Sequence, residues 1–242
     1  MSHIETVELR SYYPPGVSEI IALGGGSFIG LIDDTTVLKY SNIPGDIEGI
    51  HVEAKLLEVL GSHPRIIASK GLTEHGPLLQ RASNGSLYNY VLSQPVIALE
   101  LRLRWCRQAA EAVDYIHRKH VIHYFQGMLK SSDNVTLLDG LSRECSKSYS
   151  PRDHGDFACE KTDIFALGSA IFFIMTGHEV FPDLDSLADE EEIYHRFQNG
   201  LFPSESHACS TITSKCWTQQ YLSADEIIHD LSLVENFKEP VE

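Results

Sequence analysis

The sequence predicts an α+β protein with two lobes. Residues 1–81 would form a small β-rich N-terminal lobe that contains one helix, and residues 82–242 a larger, mainly helical C-terminal lobe. Short apolar runs separated by Gly and Asp fill the first third of the chain, and helical periodicity dominates the remainder. The 242 residues, 43% apolar and 22% charged, are enough to bury a core in one large domain or two small lobes.

The predicted elements of the N-terminal lobe are apolar runs bounded by turn residues. Asp33 and Asp34 separate two of these runs, which is typical of an antiparallel hairpin. Apolar residues then recur at helical spacing over His51–Leu60, and Gly61 with Pro64 ends that helix. The expected strands are Glu19–Leu23, Phe28–Ile32, Thr35–Tyr40, Ile66–Ile67 and Pro77–Leu79.

The C-terminal lobe is predicted to be a set of helices around one central helix. Thr162–Thr176 is apolar nearly all round, which indicates a helix buried inside the lobe. The acidic stretch Pro182–Glu192 is expected to be a solvated face, because its spacing does not match a calcium-binding loop. An α+β protein of this kind would hold its ligand in the cleft between lobes. The expected helices are Leu99–Arg118, Thr162–Thr176, Glu190–Asn199, Ser210–Trp217 and Ala224–Val234.

Charge and cysteine content exclude several function classes. The formal net charge of −15 repels phosphate groups, so neither nucleic acid nor an anionic membrane is expected as a main partner. No apolar run approaches the roughly 20 residues needed to cross a bilayer, and the N-terminal residues lack the basic and apolar regions of a secretory signal. The five cysteines contain no C-x-x-C pattern, which favours reduced thiols and a cytoplasmic or nuclear protein.

Residues with phosphate-binding chemistry follow one another in the N-terminal lobe. The glycine-rich stretch Leu23–Leu31 lets backbone N–H groups approach phosphates, and Phe28 would cap its turn. Lys39 follows on the next predicted strand, and Glu53 lies on the helix, where it would pair with Lys39. Taken singly, the glycines also fit a simple hairpin, and Lys39 with Glu53 also fits a salt bridge that only stabilises the fold. Together with the break at His63–Pro64, they resemble the protein kinase family.

This resemblance implies a bilobal protein-kinase-like fold with a site for ATP and Mg²⁺. It implies that the loop with Gly24 and Gly26 covers ATP, that Lys39 contacts the phosphates, and that Glu53 orients Lys39. Asp139, at the end of a further strand, would be the metal ligand. The other implied nucleotide contacts are Leu31 and Val37 above the adenine, the gatekeeper Leu79 with Gln80 and Ala82 beside it, and Met128 or Leu129 below it.

The resemblance extends through the C-terminal lobe. Val121–His123 is similar to the approach to the kinase catalytic loop, and Lys161–Gly168 to the buried helix of that lobe. The resemblance implies that Asp163 on this helix accepts backbone hydrogen bonds from the catalytic loop. Lys215–Trp217 is similar to a late kinase helix, and Thr162–Gly177 resembles a group of fungal kinase-like proteins.

The catalytic loop departs from the family motif H-R-D-x-x-x-x-N. The corresponding sequence here is His123-Tyr124-Phe125-Gln126-Gly127-Met128-Leu129-Lys130. Phe125 occupies the position of the catalytic base and cannot accept a proton, and Lys130 takes the place of the metal-binding Asn. The stretch from His123 to Asp139 is about four residues shorter than the pattern implies. Arg152 stands where the A-P-E element has its glutamate.

These departures favour a pseudokinase that keeps part of its ATP site and acts as a binding or regulatory module. An atypical Ser/Thr kinase of low activity, with Lys39 and Asp139 holding Mg-ATP, is the alternative, followed by a small-molecule phosphotransferase on a similar fold. A mispredicted exon boundary within residues 124–133 would produce the same disrupted sequence, and the native protein would then be an active enzyme. The sequence indicates no protein partner or substrate.

The short segment after Asp139 is rich in hydroxyl groups and cations. A solvated polar loop is expected there, and the alternative is that phosphorylation creates ion pairs with the neighbouring basic side chains. The hydroxyls are Ser146, Ser148, Tyr149 and Ser150, and the cations are Arg143, Lys147 and Arg152.

Overall fold

The computed structural model describes residues 12–24, 26–45, 48–123, 127–131, 133, 135–139, 144–152 and 158–236. The chain forms two compact units that divide between Asn84 and Gly85. The first is a β-sheet with one helix, and the second is mainly helical, so the predicted α+β fold is confirmed. Within these ranges, no helix combines the length and the hydrophobicity that a bilayer crossing requires.

The N-terminal unit is built on a five-stranded antiparallel sheet in the order β1-β2-β3-β5-β4. Successive strands pair as hairpins, except that β5 lies between β3 and β4. β3 therefore sits at the centre of the sheet, with a paired strand on each side. The strands are β1 (Glu19–Leu23), β2 (Ser27–Asp33), β3 (Thr36–Ser41), β4 (Ser69–Thr73) and β5 (Gly76–Gln80).

The prediction of a strand at Ile66–Ile67 is wrong. Neither residue is in a strand: the Ile66 amide donates a hydrogen bond to the His63 carbonyl at 3.0 Å, and β4 begins only at Ser69. The Lys70 ammonium on β4 donates to the Thr35 carbonyl at 2.8 Å, across the sheet. Pairing partners distant in sequence, rather than local hydrophobicity, thus determine where this strand forms.

One face of the sheet forms the core of the N-terminal unit. Phe28, Leu38 and Tyr40 are buried together, and Tyr12 and Val17 from the preceding segment pack against them. The Tyr40 hydroxyl donates to the Tyr12 carbonyl at 2.9 Å, which satisfies the hydroxyl in its buried position. The single helix of this unit, α1, spans Glu48–Leu60.

The second unit consists of six helices and a small antiparallel sheet within the described ranges. The helices are α2 (Leu87–Ser93), α3 (Leu99–His117), α4 (Glu160–Thr176), α5 (Glu190–Gln198), α6 (Ser210–Trp217) and α7 (Ala224–Asn236). The sheet contains β6 (Val121–Ile122), β7 (Met128–Lys130) and β8 (Thr136–Asp139). The predicted helices are confirmed with ends that differ by no more than two residues.

Helix α4 is the centre of this unit and has two apolar faces. Ile164 and Ile171 join a core formed with α3, α6 and α7. Phe165 and Phe172 pack into a second cluster with Phe197 of α5. Burial on both faces explains why the sequence of this helix is apolar nearly all round.

Candidate functional site

Lys39 and Glu53 form an ion pair in the N-terminal unit. The Lys39 Nζ atom lies 2.5 Å from Glu53 Oε2, and each side chain is 21% exposed. Central strand β3 carries the lysine, while α1 is anchored by its buried residues Ile50 and Leu56. A partly exposed pair of this kind contributes about 0–1 kcal/mol to stability. Its larger effect is positional, because it holds the ammonium at one place on the sheet.

Several of the predicted nucleotide contacts share one face of the sheet. Leu31, Val37 and Leu79 form a cross-strand row over β2, β3 and β5. Directly paired residues lie on the same face, and so do residues two apart on a strand, which adds Lys39 and its partner Ile29. Val37 and Leu79 are buried. The face is therefore aliphatic with one cation at its edge, a combination that suits a flat ring that carries phosphates.

Gly24 and Gly26 lie in the connection between β1 and β2. The Gly24 amide donates to the Ser27 carbonyl at 2.8 Å, and the Gly26 carbonyl accepts a hydrogen bond from the Asn42 amide at 3.1 Å. The prediction that Phe28 would cap this turn is wrong, because its ring is buried in the core on the opposite face. Strand alternation places it there.

The residues after the gatekeeper leave β5 and enter an exposed connection. The Gln80 amide donates to the Ala68 carbonyl and the Arg81 amide to the Thr35 carbonyl, both at 2.8 Å, which fixes the end of the sheet. Ala82 is exposed, and in the part of the chain that the structure describes its backbone N–H and C=O make no hydrogen bond. A ligand can therefore use these two groups.

The two predicted site residues of the second unit lie on its small sheet. Asp139 ends β8 and pairs with Met128 of β7. Met128 is buried and joins Ile122 in a small core cluster, whereas Leu129 is only partly buried and pairs with Leu138. Because neighbouring residues on a strand face opposite ways, Leu129 and not Met128 remains available to a ligand.

Asp163 binds the backbone of His123, the first residue of the connection between β6 and β7. Its Oδ2 atom accepts a hydrogen bond from the His123 amide at 2.6 Å and lies 3.0 Å from Nε2 of His117. Asp163 and His117 are both buried. The contact to His123 is the one that the kinase resemblance implies for this aspartate.

The connection between β6 and β7 is too short for the family's catalytic loop. It contains five residues, His123 to Gly127, whereas the motif takes about eight residues from its His to its Asn. None of the five carries a carboxylate. Phe125 lies outside the described residues, so its placement at the base position stays a prediction.

Lys130 does not stand in the place of the metal-binding Asn, and that expectation is corrected. It is the last residue of β7, where it pairs with Thr136, and its ammonium donates to the Ala158 carbonyl at 2.7 Å. The buried ammonium is thus bound inside the unit. The residue-by-residue comparison failed because the shortened connection brings β7 closer to His123 than in the family pattern.

Arg152 pairs with a carboxylate on its own segment. It contacts Glu144, eight residues earlier, and the side chains of Arg152 and Glu144 are 11% and 10% exposed. Burial raises the pKa of Glu144, and the hydrogen bond from Arg152 opposes that rise. The sequence showed that Arg152 replaces the glutamate of the A-P-E element. It did not identify Glu144 as the partner of Arg152, because an irregular segment has no periodicity that would relate the two positions.

The comparisons with known proteins agree with this geometry. The family model described as "Protein tyrosine and serine/threonine kinase" matches residues 36–157, half of the chain. Mitogen-activated protein kinase kinase kinase 13 of Homo sapiens is 28% identical over 148 residues, which cover 52% of this chain and 15% of that protein.

Two further relatives show the same extent of similarity. Mitogen-activated protein kinase kinase kinase 13-B of Xenopus laevis is 28% identical, with 52% of this chain and 15% of the relative covered. Mitogen-activated protein kinase kinase kinase 12 of Rattus norvegicus is also 28% identical, with 52% and 17% covered. The match thus takes in a small part of these relatives' length. On the family model and the fold together, the chain belongs to the protein tyrosine and serine/threonine kinase family.

Proposed function

We propose that this kinase domain binds a nucleotide but has lost phosphoryl transfer, and that it acts as a regulatory or binding module. The observation that carries the proposal is the five-residue connection between β6 and β7, which contains no carboxylate. A residue that accepts the proton of the substrate hydroxyl is part of the family's catalytic loop. At the corresponding place, two residues after His123, the sequence has Phe125, which cannot accept a proton.

The magnitude of the loss favours inactivity over mere slowness. A general base contributes about 10²- to 10⁴-fold to a rate. A shortened loop also displaces the substrate hydroxyl, and misplacement by about 1 Å costs on the order of another 10²-fold. The connection from His123 to Gly127 also contains no asparagine, which is the family's ligand for the second metal ion.

The residues of the N-terminal unit support nucleotide binding. The Lys39–Glu53 pair is formed, and the aliphatic row with Val37 and Leu79 lies on the same face. Lys39 would contact the phosphates, and the Ala82 backbone would meet the adenine. For Mg²⁺ the fit is poorer: Asp139 supplies one carboxylate, and no group of three or more metal-binding side chains occurs among the described residues. When bound, the ion would neutralise phosphate charge.

A weakly active protein kinase is the second candidate. It is favoured by the retained Lys39, Glu53 and Asp139, and by relatives whose names describe protein kinases. In this case another carboxylate would have to act as the base.

Binding is tested by a thermal-shift titration of the full chain with ATP, with and without Mg²⁺. We expect ATP to raise the melting temperature by mass action, and Lys39→Met to abolish the shift. Lys55→Met is the matched control, because Lys55 is an exposed lysine on α1. A flat response of the unmodified protein would overturn the nucleotide part of the proposal.

Transfer is tested with radiolabelled ATP and either Mg²⁺ or Mn²⁺, using the protein itself and a general protein substrate as acceptors. We expect no labelling above that of the Lys39→Met variant. Labelling that disappears in Lys39→Met and in Asp139→Asn would show an active kinase.

A further inference from the structure

We propose that residues 144–152 are held against the helical unit by the protein's own carboxylates and carbonyls, so that the order of this segment does not depend on phosphorylation. The proposal concerns regulation and is independent of whether the domain binds ATP. It differs from both alternatives that the sequence offered for this segment, a solvated polar loop and a set of phosphorylation sites that create new ion pairs.

Both cations of the described segment are already paired. Lys147 Nζ lies 3.1 Å from Glu179 Oε2, and the lysine side chain is 9% exposed. Arg152 contacts Glu144, and these two side chains are similarly buried. Phosphorylation usually orders a segment by giving such cations an anionic partner. Here Glu144 and Glu179 already fill that role.

Two of the four hydroxyl residues are inaccessible. Ser146 and Ser150 are 6% and 7% exposed, so a modifying enzyme cannot reach them in the folded protein. The Ser146 Oγ atom donates to the Ser186 carbonyl at 2.7 Å, in the connection before α5. A phosphate on Ser146 would therefore break a hydrogen bond that holds the segment.

The remaining two hydroxyl residues lie where a phosphate would loosen the segment. The Arg152 guanidinium sits 4.4 Å from the centre of the Tyr149 ring, which packs 5.9 Å from the ring of Tyr194 on α5. A dianion on Tyr149, whose ring contacts Arg152, would compete with Glu144 for that cation, and Ser148 is the preceding residue in the chain. Phosphorylation of this segment is thus expected to loosen it, whereas activating phosphorylation orders the segment that carries it.

The backbone supplies reporters for a test. Ser146–Ser148 form one turn of 3₁₀ helix, in which the Ser148 amide donates to the Cys145 carbonyl at 2.9 Å. The Tyr149 amide donates to the Ser146 carbonyl at 3.2 Å. If the segment is held in place, these two amides exchange slowly with solvent.

The experiment is amide hydrogen exchange on the full chain after phosphatase treatment. We expect the Ser148 and Tyr149 amides to exchange at least about tenfold more slowly than in an unstructured peptide, and Glu144→Gln to remove most of this protection. Glu192→Gln is the matched control, because its pair with Arg196 is exposed on α5, and it should leave the segment unchanged. Exchange at the unstructured rate in the phosphatase-treated protein would overturn the proposal.

A second variant keeps the proposal falsifiable if Glu144→Gln unfolds the unit. Ser148→Asp places an anion next in sequence to Tyr149, whose ring contacts Arg152, while Glu144 remains intact. We expect faster exchange at Tyr149 and faster tryptic cleavage after Lys147, with no change in the amides of α4. Slower exchange or slower cleavage in Ser148→Asp would show that an anion orders the segment, and the proposal would be wrong.

Discussion

Because Gly76 has no side chain, the β4–β5 turn can approach the backbone of Lys39 closely. Replacing Gly76 by Ala should therefore disturb the site. A Cβ atom at this position would lie 2.1 Å from the Lys39 carbonyl oxygen and 2.8 Å from Cγ2 of Ile50, whereas ordinary contacts are 3.4–4 Å. The turn or the central strand must therefore move by roughly 1 Å, which is enough to misplace a phosphate-binding group. The φ angle of +146° adds backbone strain.

Gly71→Ala separates the strain from the clash. Gly71 lies on the paired strand with φ +131°, but a Cβ there would meet nothing within 4 Å. Both variants carry a backbone cost of about 1–3 kcal/mol, and Gly76→Ala adds overpacking of about 1–3 kcal/mol. At about 2–4 °C per kcal/mol, Gly76→Ala should melt roughly 2–12 °C below Gly71→Ala.

Thermal melts followed by circular dichroism, with and without ATP, measure both consequences of the clash. We expect Gly76→Ala to lose the ATP-dependent shift and Gly71→Ala to keep it. Equal melting temperatures with equal ATP responses would refute the reasoning, because they would show that the turn yields without moving Lys39.

Three further predictions concern the helical unit. Asp163→Ala should lower the free energy of unfolding by about 3–5 kcal/mol, because His117 and a backbone amide lose their buried acceptor; urea denaturation that shows a loss below about 1 kcal/mol would contradict this. Gly168→Ala should destabilise by about 1–3 kcal/mol despite the helix propensity of Ala, since its Cβ would lie 2.6 Å from Cys216 Cβ; a gain in melting temperature would disprove the close contact. Burial lowers the pKa of His207, so the stability that it contributes is present above about pH 6.5 and is lost as the pH falls through the lowered value; melts of His207→Gln and the unmodified protein should diverge only above this pH range, and a constant difference down to acidic pH would contradict the assignment.

Local pattern was sufficient for the long helices and the central hairpins. Thr162–Thr176 is apolar all round and does form the buried helix α4, because hydrophobicity over many residues leaves few alternatives. Lys39 and Glu53 were also identified from order along the chain, since each lies on a regular element whose face can be predicted. The strand expected at Ile66–Ile67 failed because two apolar residues do not specify a pairing partner.

Sequence by itself determined the fold class, the family resemblance and the absence of a carboxylate from residues 123–127, because residue identity and periodicity carry that information directly. Only the tertiary structure decided where Lys130 lies and which carboxylate Arg152 meets. Those contacts join residues through a shortened connection and an irregular segment, where neither periodicity nor motif spacing constrains the path of the backbone. The geometry of such segments follows from the packed unit around them.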